Sequence, residues 1–133
     1  GALARGATAA QLGTAFLLCP EAGTAPVHRD AIVRGGTTTL TRAFTGRRAR
    51  AVINEFLERH DPHAPRAYPH VLNLTRPVLA AARDAGDPAT INLWAGQAHP
   101  LARAAPAAEI VNELSGGARA ALEAAINRSA AWG

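Results

Sequence analysis

The sequence predicts an α/β chain that is mostly helical, and three observations carry that reading. Residues 8–18, Thr-Ala-Ala-Gln-Leu-Gly-Thr-Ala-Phe-Leu-Leu, form a small and apolar run like that of a strand packed on both faces. A helix-favouring stretch ending in Gly6 precedes it, so a helix end leads almost at once into a strand, the spacing of an αβ unit. Beyond residue 25, apolar residues recur at helical spacing in four separate stretches.

Composition narrows the possibilities. A chain of 133 residues is at most one domain with a modest core. All 14 basic residues are arginine and the net charge is +4, a balance that invites an anionic partner. The arginines are scattered, however (Arg5, Arg29, Arg34, Arg76, Arg83, Arg103, Arg119); only Arg47, Arg48 and Arg50 cluster. A solvated basic surface is the simpler reading. The single Cys19 excludes an intrachain disulfide framework and fits a reducing, cytoplasmic setting. No apolar run approaches the roughly 18–20 residues of a membrane span, and residues 1–5 lack the pattern of a secretory leader. The chain starts with Gly1, which leads to the expectation of processing or of a start in mid-protein.

The elements follow in order. Residues 1–6 predict the tail of a helix stopped by Gly6. The strand of residues 8–18 bends at Gly13-Thr14. Gly13 lets the backbone approach another group closely, and Thr14 adds an N–H and a hydroxyl. Such a turn is where parallel α/β folds hold phosphate, although on spacing alone a plain turn is the commoner outcome. Residues 19–23 form a loop punctuated by Pro20 and Gly23. Thr24 as cap and Pro26 in the first turn predict a helix over 26–34, with Val27, Ile32 and Val33 inward and His28 and Arg29 on the surface. The threonine-rich residues 37–45 read as an exposed extended strand broken by Gly46.

Residues 49–60 read as an amphipathic helix burying Val52, Ile53, Phe56 and Leu57. Arg47, Arg48 and Arg50 would stand at its start, where the helix dipole disfavours cations and so hints at an anion nearby. Residues 61–69 are a proline-rich loop. His60, His63 and His70 fit no standard zinc spacing, so no metal site is expected. Residues 71–85 predict a helix with Leu74, Val78 and Leu79 inward. Residues 91–98 are a short apolar stretch with a polar tail, Trp94 being a core or lid residue and Gly96-Gln97 pocket candidates. Residues 107–126 predict a last helix, divided at Gly116-Gly117, with Ile110, Val111, Leu114, Leu122 and Ile126 on one stripe.

Four ordered segments also share a family resemblance. Gln11-Leu12-Gly13-Thr14-Ala15-Phe16-Leu17, with Pro20-Glu21-Ala22 and His28-Arg29, resembles the end of the barrel in nitronate monooxygenases, once called 2-nitropropane dioxygenases. Thr41-Arg42-Ala43-Phe44-Thr45-Gly46-Arg47, with Ala49-Arg50 and Asn54, is similar to the segment that follows there. Tyr68-Pro69, Leu74-Thr75 and Leu93-Trp94-Ala95-Gly96-Gln97-Ala98 resemble the family's C-terminal region. The resemblance implies the C-terminal piece of a (β/α)8 TIM barrel that binds FMN. Residues 1–24 would give the last barrel strand and phosphate turn, and residues 25–133 a helical C-terminal region. Phosphate sites of such barrels lie in the loops after the last two strands. Gln11, Gly13 and Thr14 are the matching cofactor-binding residues.

The implied reaction oxidises alkyl nitronates with O2 to carbonyl compounds and nitrite. The family's catalytic histidine lies in earlier strands, so none of His28, His60, His63, His70 or His99 is assigned a catalytic role. A complete barrel takes roughly 250 residues. The expected partners are therefore the missing N-terminal barrel portion and the small-molecule substrate, with no nucleic acid and no membrane. The chain alone is expected to fold poorly, to be inactive and to lose FMN. Two other readings compete: a flavin-dependent enoyl-thioester reductase on the same barrel, and a basic helical module using Arg42, Arg47, Arg48 and Arg50 on nucleic-acid phosphates or a partner.

Overall fold

A computed structural model describes residues 2–130. Around a two-stranded antiparallel sheet it arranges four α-helices: α1 (Pro26–Arg34), α2 (Glu55–His60), α3 (His70–Asp84) and α4 (Ala107–Ala130). The strands are β1 (Thr38–Thr41) and β2 (Ala49–Val52), registered Thr38 opposite Val52 and Thr41 opposite Ala49. Residues 93–95 lie extended along the free edge of β2. Val52 N–H donates to Leu93 O at 2.9 Å, Ala95 N–H to Arg50 O at 3.2 Å, and Ala51 bridges Trp94. Thus β2 is central, paired on both sides, and its Ala51 is fully buried.

This corrects the helix expected over residues 49–60. Only its second half is helical. The threonine-rich β1 supplies a ladder partner for Ala49–Val52, and tertiary pairing overrides helical periodicity. Asn54 then starts α2. Its Oδ1 accepts from Leu57 N–H at 3.1 Å, while Nδ2 donates to Pro88 O at 2.9 Å and Ile91 O at 2.8 Å. One amide therefore caps a helix and fastens the loop that delivers residues 91–96 to the sheet.

The strand expected over residues 8–18 is absent. Residues 7–13 are irregular and exposed, and a 3-10 turn, Thr14–Phe16, follows directly. A strand needs a hydrogen-bonded partner, and among the described residues the only sheet is β1–β2. The predicted stop at Gly6 does occur, at φ +93°, after a 3-10 turn of Leu3–Arg5; Gly1 lies outside the described residues.

Helix α1 has the predicted bounds, with Pro26 at its first position and Gly35 after its end. Ala25 rather than Thr24 occupies the cap, with no side-chain bond. Ala31 and Ile32 are buried, whereas Val33 is 74% exposed. Helix α3 matches its expected span, yet its inward stripe is Thr75, Leu79 and Ala82, with Leu74 and Val78 exposed. That face meets Phe44 twice: Thr75 Oγ1 donates to Phe44 O at 2.7 Å, and Leu79 joins the Phe44 cluster. Helix α4 runs unbroken through Gly116-Gly117 and buries only Ile110; Val111, Leu114 and Ile126 are exposed. Glu21 accepts from Ala107 N–H at its start.

The core falls into three clusters. Leu18, Ala31, Ile32, Val52, Ala82, Ile91, Leu93 and Ala95 form the largest. Phe44, Ala51, Leu57 and Leu79 form the second, where Phe44 stacks on Phe56 at 5.1 Å and meets Trp94 edge-on at 5.2 Å. Cys19, Ala105 and Ile110 form the third. Gly46 is required where it stands: at φ +79° a Cβ would lie 2.7 Å from the backbone of Ala67. Beside it, Asp61 accepts from Thr41 Oγ1 at 2.6 Å and Arg42 N–H at 2.8 Å. Burial would raise its carboxyl, but these bonds outweigh burial and hold it below the ordinary 3.8.

Candidate functional site

The Gly13-Thr14 bend does face open space. A cleft of about 380 Å³ is lined by Gly13, Thr14, Leu17, Arg50, Trp94, Ala95 and Gly96. Two walls far apart in sequence meet at one bond: Gly96 N–H donates to Thr14 Oγ1 at 2.9 Å. An oxygen that accepts still has its own hydrogen to donate. Among the described residues the Thr14 hydroxyl meets no acceptor of its own, so that hydrogen is free for a ligand in the cleft.

Arg50 brings the charge. It sits in β2 beside the extended residues 93–95, and its Nη1 donates to Thr38 O and Thr38 Oγ1, both at 3.2 Å. Those bonds use one end of a five-donor fork. A half-buried arginine held this way by its own sheet is pre-oriented for an anionic group. Sequence reasoning grouped Arg50 with Arg47 and Arg48 at a helix start. The structure separates them, leaving Arg47 and Arg48 exposed beyond the strand. Burial along the strand does not alternate, since Ala51 and Val52 are both buried, so neighbouring residues carried no signal that singled out Arg50.

The first turn of α1 braces both walls, which corrects the surface reading of His28 and Arg29. His28 Nε2–H donates to Trp94 O at 3.0 Å. Arg29 donates to Leu18 O at 2.8 Å and Cys19 O at 3.1 Å. Burial pushes the His28 imidazole below its ordinary 6.5; its bond to Trp94 opposes this, and the charge of Arg83 adds to it.

Of the three expected cofactor residues, Gly13 and Thr14 line the cleft and Gln11 does not; Gln11 is exposed on the irregular stretch before the bend. Trp94 and Gly96 join the site from the C-terminal side, while Gln97 is exposed outside it. Cys19 is 1% exposed and packs on Ala105 and Ile110. Among the described residues no three His, Cys, Asp or Glu side chains gather as metal ligands, and no helix is long and apolar enough to cross a membrane.

The donor set suits an anionic group. It combines a guanidinium, a hydroxyl with a free hydrogen, and a glycine at whose Cβ position nothing lies within 4 Å.

Comparison with known proteins adds what the geometry does not contain. The family model described as nitronate monooxygenase matches residues 1–117. A nitronate monooxygenase of Paraburkholderia phytofirmans is 42% identical over 118 residues, covering 85% of this chain and 32% of that protein. One from Pseudomonas aeruginosa is 40% identical over 118 residues, covering 85% and 34%. The chain thus spans about a third of these curated relatives. Among solved structures, the nitroalkane oxidase of Streptomyces ansochromogenes is similar with a TM-score of 0.85 at 50% identity, over 90% of this chain and 36% of that one.

Proposed function

The chain belongs to the nitronate monooxygenase family, and from that premise we propose that its cleft holds the phosphate end of FMN in an enzyme oxidising alkyl nitronates with O2. The observation that carries this reading is the Gly96 to Thr14 bond, which closes a cleft containing Arg50. Arg50 and the Thr14 hydroxyl would hold the phosphate, and Gly13 would leave space beside it. Gln11, exposed just before the bend, would pack beside the rest of the cofactor. When bound, the flavin supplies the oxidation chemistry. This chain's residues bind the anionic end, fix its position and keep water from one side through Leu17, Ala95 and Trp94.

The remaining walls, in this proposal, come from the part of the family architecture that the matched third does not include. The barrel is read the same way: residues 2–24 would lie against strands outside this chain. Helix α4 and residues 2–16 leave between them an apolar cleft of about 870 Å³, lined by Leu3, Leu12, Phe16, Val111, Leu114 and Leu122 among others. An apolar surface of this kind fits a face that packs on further protein. Alone, the chain is therefore proposed to be inactive and to lose FMN on purification.

A chimera carrying this chain in place of the matching third of the Pseudomonas aeruginosa relative provides the test. It should purify yellow with one flavin per chain and oxidise nitronate. Arg50→Met and Thr14→Val should each weaken FMN retention by about tenfold or more, the scale of a lost charge-assisted bond. A folded chimera that is colourless, or variants that hold flavin as well as the parent, would reject the assignment.

A further inference from the structure

The Gly96 turn that closes the cleft is followed by His99, which is 2% exposed. Its Nδ1 lies 3.3 Å from Gly96 O, and the same carbonyl accepts His99 N–H at 3.1 Å. A carbonyl only accepts, so Nδ1 must carry the hydrogen. Nε2 is buried and has no hydrogen-bond partner among the described residues. Burying an imidazole with one nitrogen unmet is less favourable than burying a leucine, so packing alone does not account for the residue. What an apolar side chain would lack is the Nδ1–H donor to Gly96.

We propose that His99 is a positioning residue for the cleft, its Nδ1–H pinning the Gly96 carbonyl so that the Gly96 N–H stays on Thr14 Oγ1 and the hydroxyl hydrogen stays turned to an anion. The geometry supports a latch rather than a ligand. The 3-10 turn His99–Leu101 packs between the Thr14–Phe16 turn and α1. From α1, His28 holds Trp94 O, so two imidazoles grip the carbonyls on either side of Ala95. Between them, Ala95 N–H is taken by Arg50 O. The segment has little freedom left except at Gly96, where no side chain restricts the backbone. That is the residue His99 holds. A Cβ at Gly96 would lie 3.3 Å from Thr14 Oγ1, so the approach is close.

The role in anion binding rests on the cleft reading above, and the experiment separates the two. In the ¹⁵N-labelled, flavin-free form of the chimera described above, long-range ¹H–¹⁵N correlation should show the Nδ1–H tautomer of His99; the Nε2–H tautomer would overturn the latch, whatever the variants do. His99→Asn places an N–H near the position of Nδ1–H, whereas His99→Leu does not. Gly96 amide exchange should quicken by about tenfold in His99→Leu and stay within about threefold of the parent in His99→Asn. Titration with inorganic phosphate, followed at the Gly13 and Gly96 amides, should weaken in parallel and recover in His99→Asn. An unchanged Gly96 exchange rate in His99→Leu rejects the latch. Exchange that responds as expected, in a parent whose amides never shift with phosphate, rejects the cleft reading and leaves the latch standing.

Discussion

The sheet region and the N-terminal flank use equally apolar sequences and reach opposite ends. Around β2, both backbone edges find partners: β1 on one side, residues 93–95 on the other, with Phe44, Leu57 and Leu79 packed against Ala51. Residues 7–13 have comparable apolar content, yet they are irregular, and Leu12 is 45% exposed. The difference is partnership. A backbone that cannot complete its hydrogen bonds stays in water, whatever its side chains prefer. The functional cleft lies on the seam between the two regions, where Thr14 from the open side meets Gly96 from the closed one.

The largest expected effect probes the closed side. Phe44→Ala removes a fully buried ring that contacts Phe56 and Trp94, and should destabilise the chain by about 3–5 kcal/mol in a urea titration. Next, Asn54→Ala removes a helix cap and leaves two carbonyls unmet, which should cost about 2 kcal/mol by the same measurement.

A pH series sharpens the comparison at the seam. His28 has a folded value below its unfolded 6.5, so the unfolded chain takes up a proton first as pH falls. Stability is therefore full above 6.5 and declines below it until the folded imidazole also protonates. In His28→Gln, which can still donate to Trp94 O, that decline should disappear; a parent curve already flat through this window would contradict the shift. The smallest effect belongs to the open flank. Leu12→Ala should change stability by less than about 0.5 kcal/mol, and a loss rivalling that of Phe44→Ala would mean that residues 7–13 are packed like a strand after all.

Local chemistry alone was enough for several features. Pro26 and Gly35 bound α1, Gly6 and Gly46 end their turns in left-handed backbone, and residues 70–84 keep helical period throughout. Gly13 and Thr14 were legible as a bend because glycine followed by a small hydroxyl residue has few other uses after an apolar run. Tertiary structure decided the rest. Whether residues 49–52 became helix or strand depended on β1 being there to pair with them. The face α3 buries is the one that meets Phe44, through the Thr75 hydroxyl and Leu79. Gly96 was already a pocket candidate in the sequence, but Arg50 joined it in the cleft, with His99 behind, because residues 93–95 dock along β2, a contact between segments more than forty residues apart in the chain. Helix ends and bends are written in adjacent residues because steric and capping forces act over a few bonds. A binding cleft is made by surfaces that meet only after the chain has closed on itself, so no reading of neighbours along the chain contains it.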